Sequence, residues 1–440
     1  MVTGLESSLW YSIITVGLAL GIGGGLAVVE RLWQQPAPRW FIGSMLLPVF
    51  LPPVIVATSF IATFGTQGLL PLPILYSPTT ILLAYGYYNV PLAYSLFRSA
   101  LNGISPATEA AAQLLGANRW QRFRQVLLPQ LRLAIIGTTG IIFLYSFTSF
   151  ILPLQLGGVH GQTMEVWLYK QIYLYHQPTI ALVAAAIQFL ILLTVMIVLV
   201  FTQPNYVPAQ YTPLPATPSQ WYWTVLRGLL TGLVLLPLLA LVRRIITTIT
   251  ATDVTTLLNS QFSSALLRTL GITLIVLMIS ISMVMLLRLG TTLGLLLLSI
   301  SPITASFIWY QLFGKGYLSI VGALLLSVLP ITTIILHQAR QRYGRSLLQT
   351  SRVLGAHVWD RLKLEYRLQL PAIRSVVIFG VILILGDASI STNLTPHQQP
   401  LAMGYALQLI GSYHFAVGSL AMLIILGCMT GIITVFYARR

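Results

Sequence analysis

The chain has 440 residues, of which 56% are hydrophobic and only 7% charged, with a mean hydropathy of +0.85 and a formal net charge of +16. A soluble domain carries about 25% charged residues, so this composition excludes an ordinary globular protein. The excess of arginine, with only Lys170, Lys315 and Lys363 as lysine, reads as loop anchoring at a membrane rather than as nucleic-acid contact.

The apolar runs are about 20 residues long and lack the alternation of barrel strands, so they predict helical spans. In chain order they fall at 8–30, 40–64, 79–99, 132–156, 178–201, 222–246, 263–287, 290–312, 317–338, 372–394 and 407–437, about eleven in all. Gly294 and Pro302 interrupt the run at 290–312. Glu6 precedes the first run and Met1 to Ser8 carries no basic residue, so the first helix is expected to stay in the membrane rather than be cleaved.

Arginine sets the expected orientation. Arg31 and Arg39 flank the loop after the first span, Arg119, Arg122, Arg124 and Arg132 follow the third, and Arg288 follows the seventh. Arg340 to Arg374 follow the ninth, and Arg439 and Arg440 end the sequence. With the N-terminus outside and the C-terminus cytoplasmic, all these clusters face the cytoplasm. The opposing loops 65–78 and 392–406 contain no Lys or Arg, while Arg243 and Arg244 break the pattern.

A proline-rich stretch, residues 203–221, reads as a linker. It divides the chain into a first unit, 1–202, of about five spans and a second, 222–440, of about six. Each unit holds a basic island, within 101–131 and 340–371. Leu115-Gly116-Ala117-Asn118-Arg119-Trp120-Gln121-Arg122 and Leu354-Gly355-Ala356-His357-Val358-Trp359-Asp360-Arg361 lie 239 residues apart and share Leu, Gly, Ala, Trp and Arg at the same spacing. Tyr175-His176 recurs as Tyr413-His414. Because both islands face one side, the units are expected to be parallel copies, not the inverted repeats of many secondary transporters. Within the first island, Ala110 to Leu115 favours helix, Gly116 breaks it, and Trp120, Phe123, Val126 and Leu127 place an apolar stripe on a second, interfacial helix with its arginines outward.

The stretch Glu109-Ala110-Ala111-Ala112, then Gly116, then Leu128-Pro129 resembles the Glu-Ala-Ala loop of the permease subunits of ABC importers. Ala111, Ala112, Gly116, Leu128 and Pro129 sit at that family's spacing, and Glu109 lies one residue early. The second copy keeps Gly355, Trp359 and Arg361 but has Gln349-Thr350-Ser351-Arg352 in place of the acidic start, and Leu370-Pro371 comes three residues late. Local stretches, among them Tyr88-Asn89-Val90-Pro91, Leu156-Gly157-Gly158, Gly386-Asp387 and Gln408 to Tyr413, look most like the thiamine transport permeases within the thiamine and ferric-iron group. The resemblance implies an all-α integral membrane protein of two tandem parallel permease repeats, of the type I ABC importer kind, in a bacterial inner membrane. It also implies two cytoplasmic ATPase subunits, each docked by one island through Glu109, Trp120, Arg122 and their counterparts, and a periplasmic binding protein that delivers thiamine or its phosphates. A ferric-iron permease is the alternative cargo reading. An ion-coupled secondary transporter is the alternative of another class.

Asp387, an ionisable residue expected at membrane depth, is a candidate for the translocation path, or else an Asp satisfied by neighbouring hydroxyls. Tyr88 and Tyr145 are candidates to line the path of an aromatic cation, against the commoner role of Tyr as an interfacial anchor. Cys428 stands alone, and His160, His176, His397 and His414 lack helical ligand spacing, so no metal site is expected. The chain contains no G-x-x-x-x-G-K-[ST] and no convergent catalytic groups. Neither an enzyme nor a bound cofactor is expected, and ATP hydrolysis would belong to another chain.

Overall fold

The computed structural model describes residues 1–202, 220–259, 261–342, 354–355, 357–396 and 399–438, and among them every regular element is a helix. The chain forms two compact units, Met1–Ala184 with Thr194–Ile246, and Ala185–Leu193 with Thr247–Arg440. The linker expected at 203–221 falls largely on 203–219, outside the described residues.

The first unit opens with α1 (Val2–Leu32), which contains a π-helical segment at Ala19–Gly24. A bent pair follows, α2 (Arg39–Phe50) and α3 (Pro53–Phe64), meeting at 105°. Pro53 is the cause of that break, since proline has no N–H to continue a helix but fits its first turn. Next come α4 (Pro78–Asn102), the short α5 (Pro106–Leu114), and α6 (Arg119–Phe147), whose residues Arg122–Leu127 are π-helical. The short α7 (Ile151–Leu156) and α8 (Met164–Tyr169), then the long α9 (Pro178–Thr202) and α10 (Trp221–Thr248), complete the series.

The second unit begins with α11 (Ala251–Asn259) and α12 (Phe262–Leu287). It repeats the bent pair as α13 (Thr291–Leu297) and α14 (Pro302–Phe313), at 83°. Then follow α15 (Tyr317–Arg342), α16 (Val358–Leu385), the short α17 (Ser389–Leu394) and α18 (Ala402–Gly411), and α19 (Phe415–Ala438). Along the sequence, from α1 and again from α12, the order long helix, bent pair, long helix, island, long helix, two short helices, long helix thus occurs twice. One contact recurs in detail. The Ser8 hydroxyl of α1 accepts the Met164 N–H at the start of α8 (2.8 Å), and the Thr269 hydroxyl of α12 accepts the Ala402 N–H at the start of α18 (2.9 Å). Each gives a partner to an amide that a helix N-terminus leaves unpaired.

Among the described residues, eight helices are long and apolar enough to cross a membrane, or ten if each bent pair is one span. The expected run at 79–99 is α4, 25 residues long, whose Tyr85, Tyr87, Tyr88 and Asn89 lower its hydropathy. These polar groups are turned to use inside the unit. Asn89 and Tyr85 are buried, and Asn89 Nδ2 donates to Tyr85 O within the helix and to Ser146 Oγ of α6. The π segment of α1 lies directly on α4, where a Cβ on Gly23 would come within 2.2 Å of Val90 O. Small residues are what permit two backbones to approach this closely in a membrane. The expected single spans at 40–64 and 290–312 are broken, and those at 132–156 and 372–394 start earlier, at Arg119 and Val358.

Candidate functional site

The first island is built by a helix end and a helix start in immediate succession. Pro106 occupies the first turn of α5, where its missing N–H costs nothing. The helix closes with Gly116 N–H to Gln113 O (2.9 Å) and Ala117 N–H to Ala112 O (3.0 Å), the bonds of a left-handed cap. Gly116 takes φ +79°, a conformation that a side chain disfavours by about 1–2 kcal/mol. Two residues later Asn118 starts α6 with a reciprocal cap. Its Oδ1 accepts the Gln121 N–H, and Gln121 Oε1 accepts the Asn118 N–H, both at 2.8 Å. The sequence Gly-Ala-Asn-x-x-Gln therefore fixes a rigid corner.

That corner sorts its side chains into two sets. Leu114, Leu115 and Trp120 are 90%, 88% and 64% exposed, an apolar patch that nothing in the unit covers. Ala111, Leu128 and Pro129 are also exposed, and Ala112 is half-buried. Glu109 and Arg122 point inward instead. Glu109 Oε1 accepts the Arg31 Nε–H at 2.6 Å, and Arg31 Nη2 also donates to Ile104 O. Arg122 Nη2 donates to Leu32 O at the end of α1 (3.2 Å), while the exposed Arg119 lies 4.6 Å over the Trp33 ring. The expectation of a separate interfacial helix is corrected, and that of outward arginines holds for Arg119, Arg124 and Arg132 but not for Arg122. Residues 119–147 form one continuous helix, and Arg122 is buried, because its guanidinium reaches the Leu32 carbonyl that ends α1.

In the second island, residues 343–353 and Ala356, and the side chain of Arg361, lie outside the described residues. What is described repeats the first corner. Gly355 has φ +73°, Leu354 and Trp359 are 79% and 67% exposed, and α16 begins directly after His357. The acidic partner has moved. Glu365, on α16 and buried, accepts the Arg340 Nε–H at the end of α15 (2.8 Å) and lies 3.7 Å from Arg288 at the end of α12. Both islands are thus held by a buried carboxylate against helix-terminal arginines, from before the glycine in one unit and from after it in the other.

The other candidates are placed as follows. Asp387 Oδ2 accepts the N–H groups of Ile390 (2.8 Å) and Ser391 (3.0 Å) and so caps α17. Tyr88 donates its hydroxyl to Leu51 O (2.8 Å), a carbonyl freed where α2 and α3 break. Tyr145 is 49% exposed on α6. Among the described residues no group of His, Cys, Asp and Glu is disposed to hold a metal ion.

A buried network in the first unit escaped the sequence reading. Arg227 of α10, 2% exposed, donates through Nε and Nη2 to Glu30 Oε1 (3.1 and 2.9 Å) and through Nη2 to Gln35 O. Tyr94 donates to Glu30 Oε2 at 2.6 Å. The signal was available, since Glu30 is an acid inside an apolar run and requires a partner there.

Residues 14–204 match the model of a binding-protein-dependent transport system inner membrane component. The chain is similar to the thiamine transport system permease protein ThiP of Haemophilus influenzae, 30% identical over 183 residues that cover 39% of this chain and 34% of that protein. It is similar to the ThiP of Escherichia coli K12 at 28% over 202 residues, 42% of this chain and 38% of that one. A putative ferric transport system permease protein of Haemophilus influenzae, FbpB 1, is 30% identical over 148 residues, 31% of this chain and 23% of its own length. The matched stretches thus span about a third of the length of the two ThiP relatives and under a quarter of FbpB 1.

Proposed function

We propose that this multi-pass membrane protein is the permease subunit of an ATP-driven importer of the binding-protein-dependent type, built from two tandem units, 1–202 and 222–440, joined by 203–221. The observation that carries the reading is the pair of islands. Each presents a left-handed glycine corner and an exposed Leu and Trp, on a helix that continues as an apolar span. An uncovered apolar patch of this kind is the mark of a partner surface, and aromatic residues make the strongest anchors in such interfaces. One ATPase subunit would seat on each patch, from the cytoplasm, with the N-terminus of the chain outside and the C-terminus inside. Closing of the ATPase pair on nucleotide would then draw the two islands and bias the membrane helices between inward-open and outward-open forms.

The cargo we propose is thiamine or its phosphates, handed over by a periplasmic binding protein, on the strength of the likeness to the ThiP proteins. Ferric iron is the second reading, favoured by the shorter likeness to FbpB 1. An ion-coupled secondary transporter would need ionisable groups free at membrane depth, whereas Glu30 and Arg227 are committed to each other and Asp387 to a cap. In this reading ATP hydrolysis resides on the partner, and no cofactor or metal is required. The test is reconstitution with ATPase subunits and a binding protein of this importer type. ATP-dependent uptake of labelled thiamine supports the reading, and uptake that persists without the ATPase removes it.

A further inference from the structure

The turn after α1 closes a cleft at the neighbouring ends of α1 and α4, lined by Arg31, Gln35, Pro36, Arg98, Leu101 and Asn102. Glu30 also borders it but is fully engaged, with Oε1 taking two N–H groups of Arg227 and Oε2 the Tyr94 hydroxyl. Arg31 is not. Its Nε serves Glu109 and its Nη2 serves Ile104 O, yet Nη1 has no hydrogen-bond partner in a residue only 2% exposed. Arg98 forms no ion pair among the described residues. Nearby Arg122, 5% exposed, also leaves Nη1 unpartnered while bonding Leu32 O.

Four guanidinium groups (Arg31, Arg98, Arg122 and Arg227) are therefore matched by two carboxylates, Glu30 and Glu109. A buried N–H of a charged group left without an acceptor is costly, and a surplus of positive charge away from water more so. An anion in the cleft relieves both. The turn itself is fixed in advance, with Gln35 N–H bonded to Glu30 O (2.9 Å) and Gln35 O held by Arg227. Its depth is marked by Trp33 and Trp40, 37% and 48% exposed on either side of the turn, since Trp settles at the level of lipid headgroups.

We propose that this cleft binds the phosphate of an anionic phospholipid, with the free N–H groups of Arg31 and the Arg98 guanidinium as its donors. Basic pockets between spans on the cytoplasmic side are suited to such headgroups. The transport reading enters only in naming that side, and lipid retention is measured without transport, so either can fail alone.

The experiment places the purified full chain in phosphatidylcholine nanodiscs, titrates phosphatidylglycerol, and counts retained lipid by native mass spectrometry. Inorganic phosphate is added as a competitor in a parallel arm. Phosphatidylglycerol should be retained over phosphatidylcholine, and Arg98→Gln should weaken its retention about tenfold. Arg98→Lys should restore most of it, and Arg39→Gln, exposed at similar depth but outside the cleft, should leave it unchanged. Arg98 is half-buried and makes no ion pair, so its variants should fold. Unchanged retention in Arg98→Gln overturns the proposal, as does an equal loss in Arg39→Gln. Displacement by inorganic phosphate at matching concentration overturns it too, by assigning the cleft to a free anion.

Discussion

Arg31 and Glu109, 78 residues apart in sequence, meet at 2.6 Å with side chains 2% and 8% exposed, and so fasten the first island to the end of the first membrane helix. Removing one partner of a buried pair leaves an uncompensated charge, at a cost of about 3–5 kcal/mol. Glu109→Ala and Arg31→Ala should each lower the melting temperature of the purified protein strongly. The double variant should lose clearly less than the two losses added together. Strict additivity would mean that the pair does not couple.

Glu365 should behave in the second unit as Glu109 does in the first. Its carboxylate holds Arg340 and faces Arg288. Glu365→Gln keeps the shape but removes the charge, and should lower both the melting temperature and ATPase stimulation. Equal stimulation by the variant and the parent would show that the second island needs no such tether.

Trp120 and Trp359 touch little within their units, being 64% and 67% exposed. Their alanine variants should melt within about 0.5 kcal/mol of the parent, as surface substitutions do. Each should nonetheless weaken co-purification of the ATPase by about 2 kcal/mol, the scale of an interfacial aromatic anchor. Undiminished co-purification in the double variant would remove the docking assignment.

Gly116 and Gly355 have no atom within 4 Å of a Cβ built on them, so substitution there meets backbone strain rather than a clash. Gly116→Ala should therefore cost about 1–2 kcal/mol, and Gly116→Asn less, because Asn tolerates the left-handed region. Gly116→Pro combined with Gly355→Pro should abolish ATPase stimulation at normal expression. Survival of both stimulation and uptake would show that the corners do not transmit force.

Asp387 separates two roles by a single atom. As a cap, its carboxylate needs only an acceptor, which Asn supplies. Asp387→Asn should keep stability, and Asp387→Ala should lose about 1 kcal/mol. If the charge itself attracts a cationic cargo, uptake by Asp387→Asn falls while stability holds, and this measurement decides between cap and path.

The sequence revealed most where the physics is local. Runs of apolar residues located every long helix, and glycine between two short helical patterns located both corners. It misled where the deciding contact lies far along the chain. Arg122 looked like an outward anchor because nothing in residues 119–132 announces the carbonyls that end α1, 90 positions earlier. The break at Leu51-Pro52-Pro53 was hidden by an unbroken apolar run, although Pro53 carried the signal. Arg227 was overlooked because basic residues near span ends are ordinarily topological, whereas its partner Glu30 lies 197 residues away. The candidate site was half legible for the same reason. Its exposed Leu and Trp repeat in sequence, while Glu365 compensates for a missing acid from a position that no repeat marks.

The helix that begins at the first corner runs on without a loop, although a π-helical segment, Arg122–Leu127, lies just after that corner. Its 29 residues make a rod about 44 Å long, with Trp120 near one end and Ser146 near the other, where Asn89 reaches across to it. If the proposed docking at the tryptophan is right, a pull there would be carried along this helix toward Ser146. The π-helical segment Arg122–Leu127 lies between Trp120 and the apolar length of the helix, so its stiffness sets how much of such a pull would arrive.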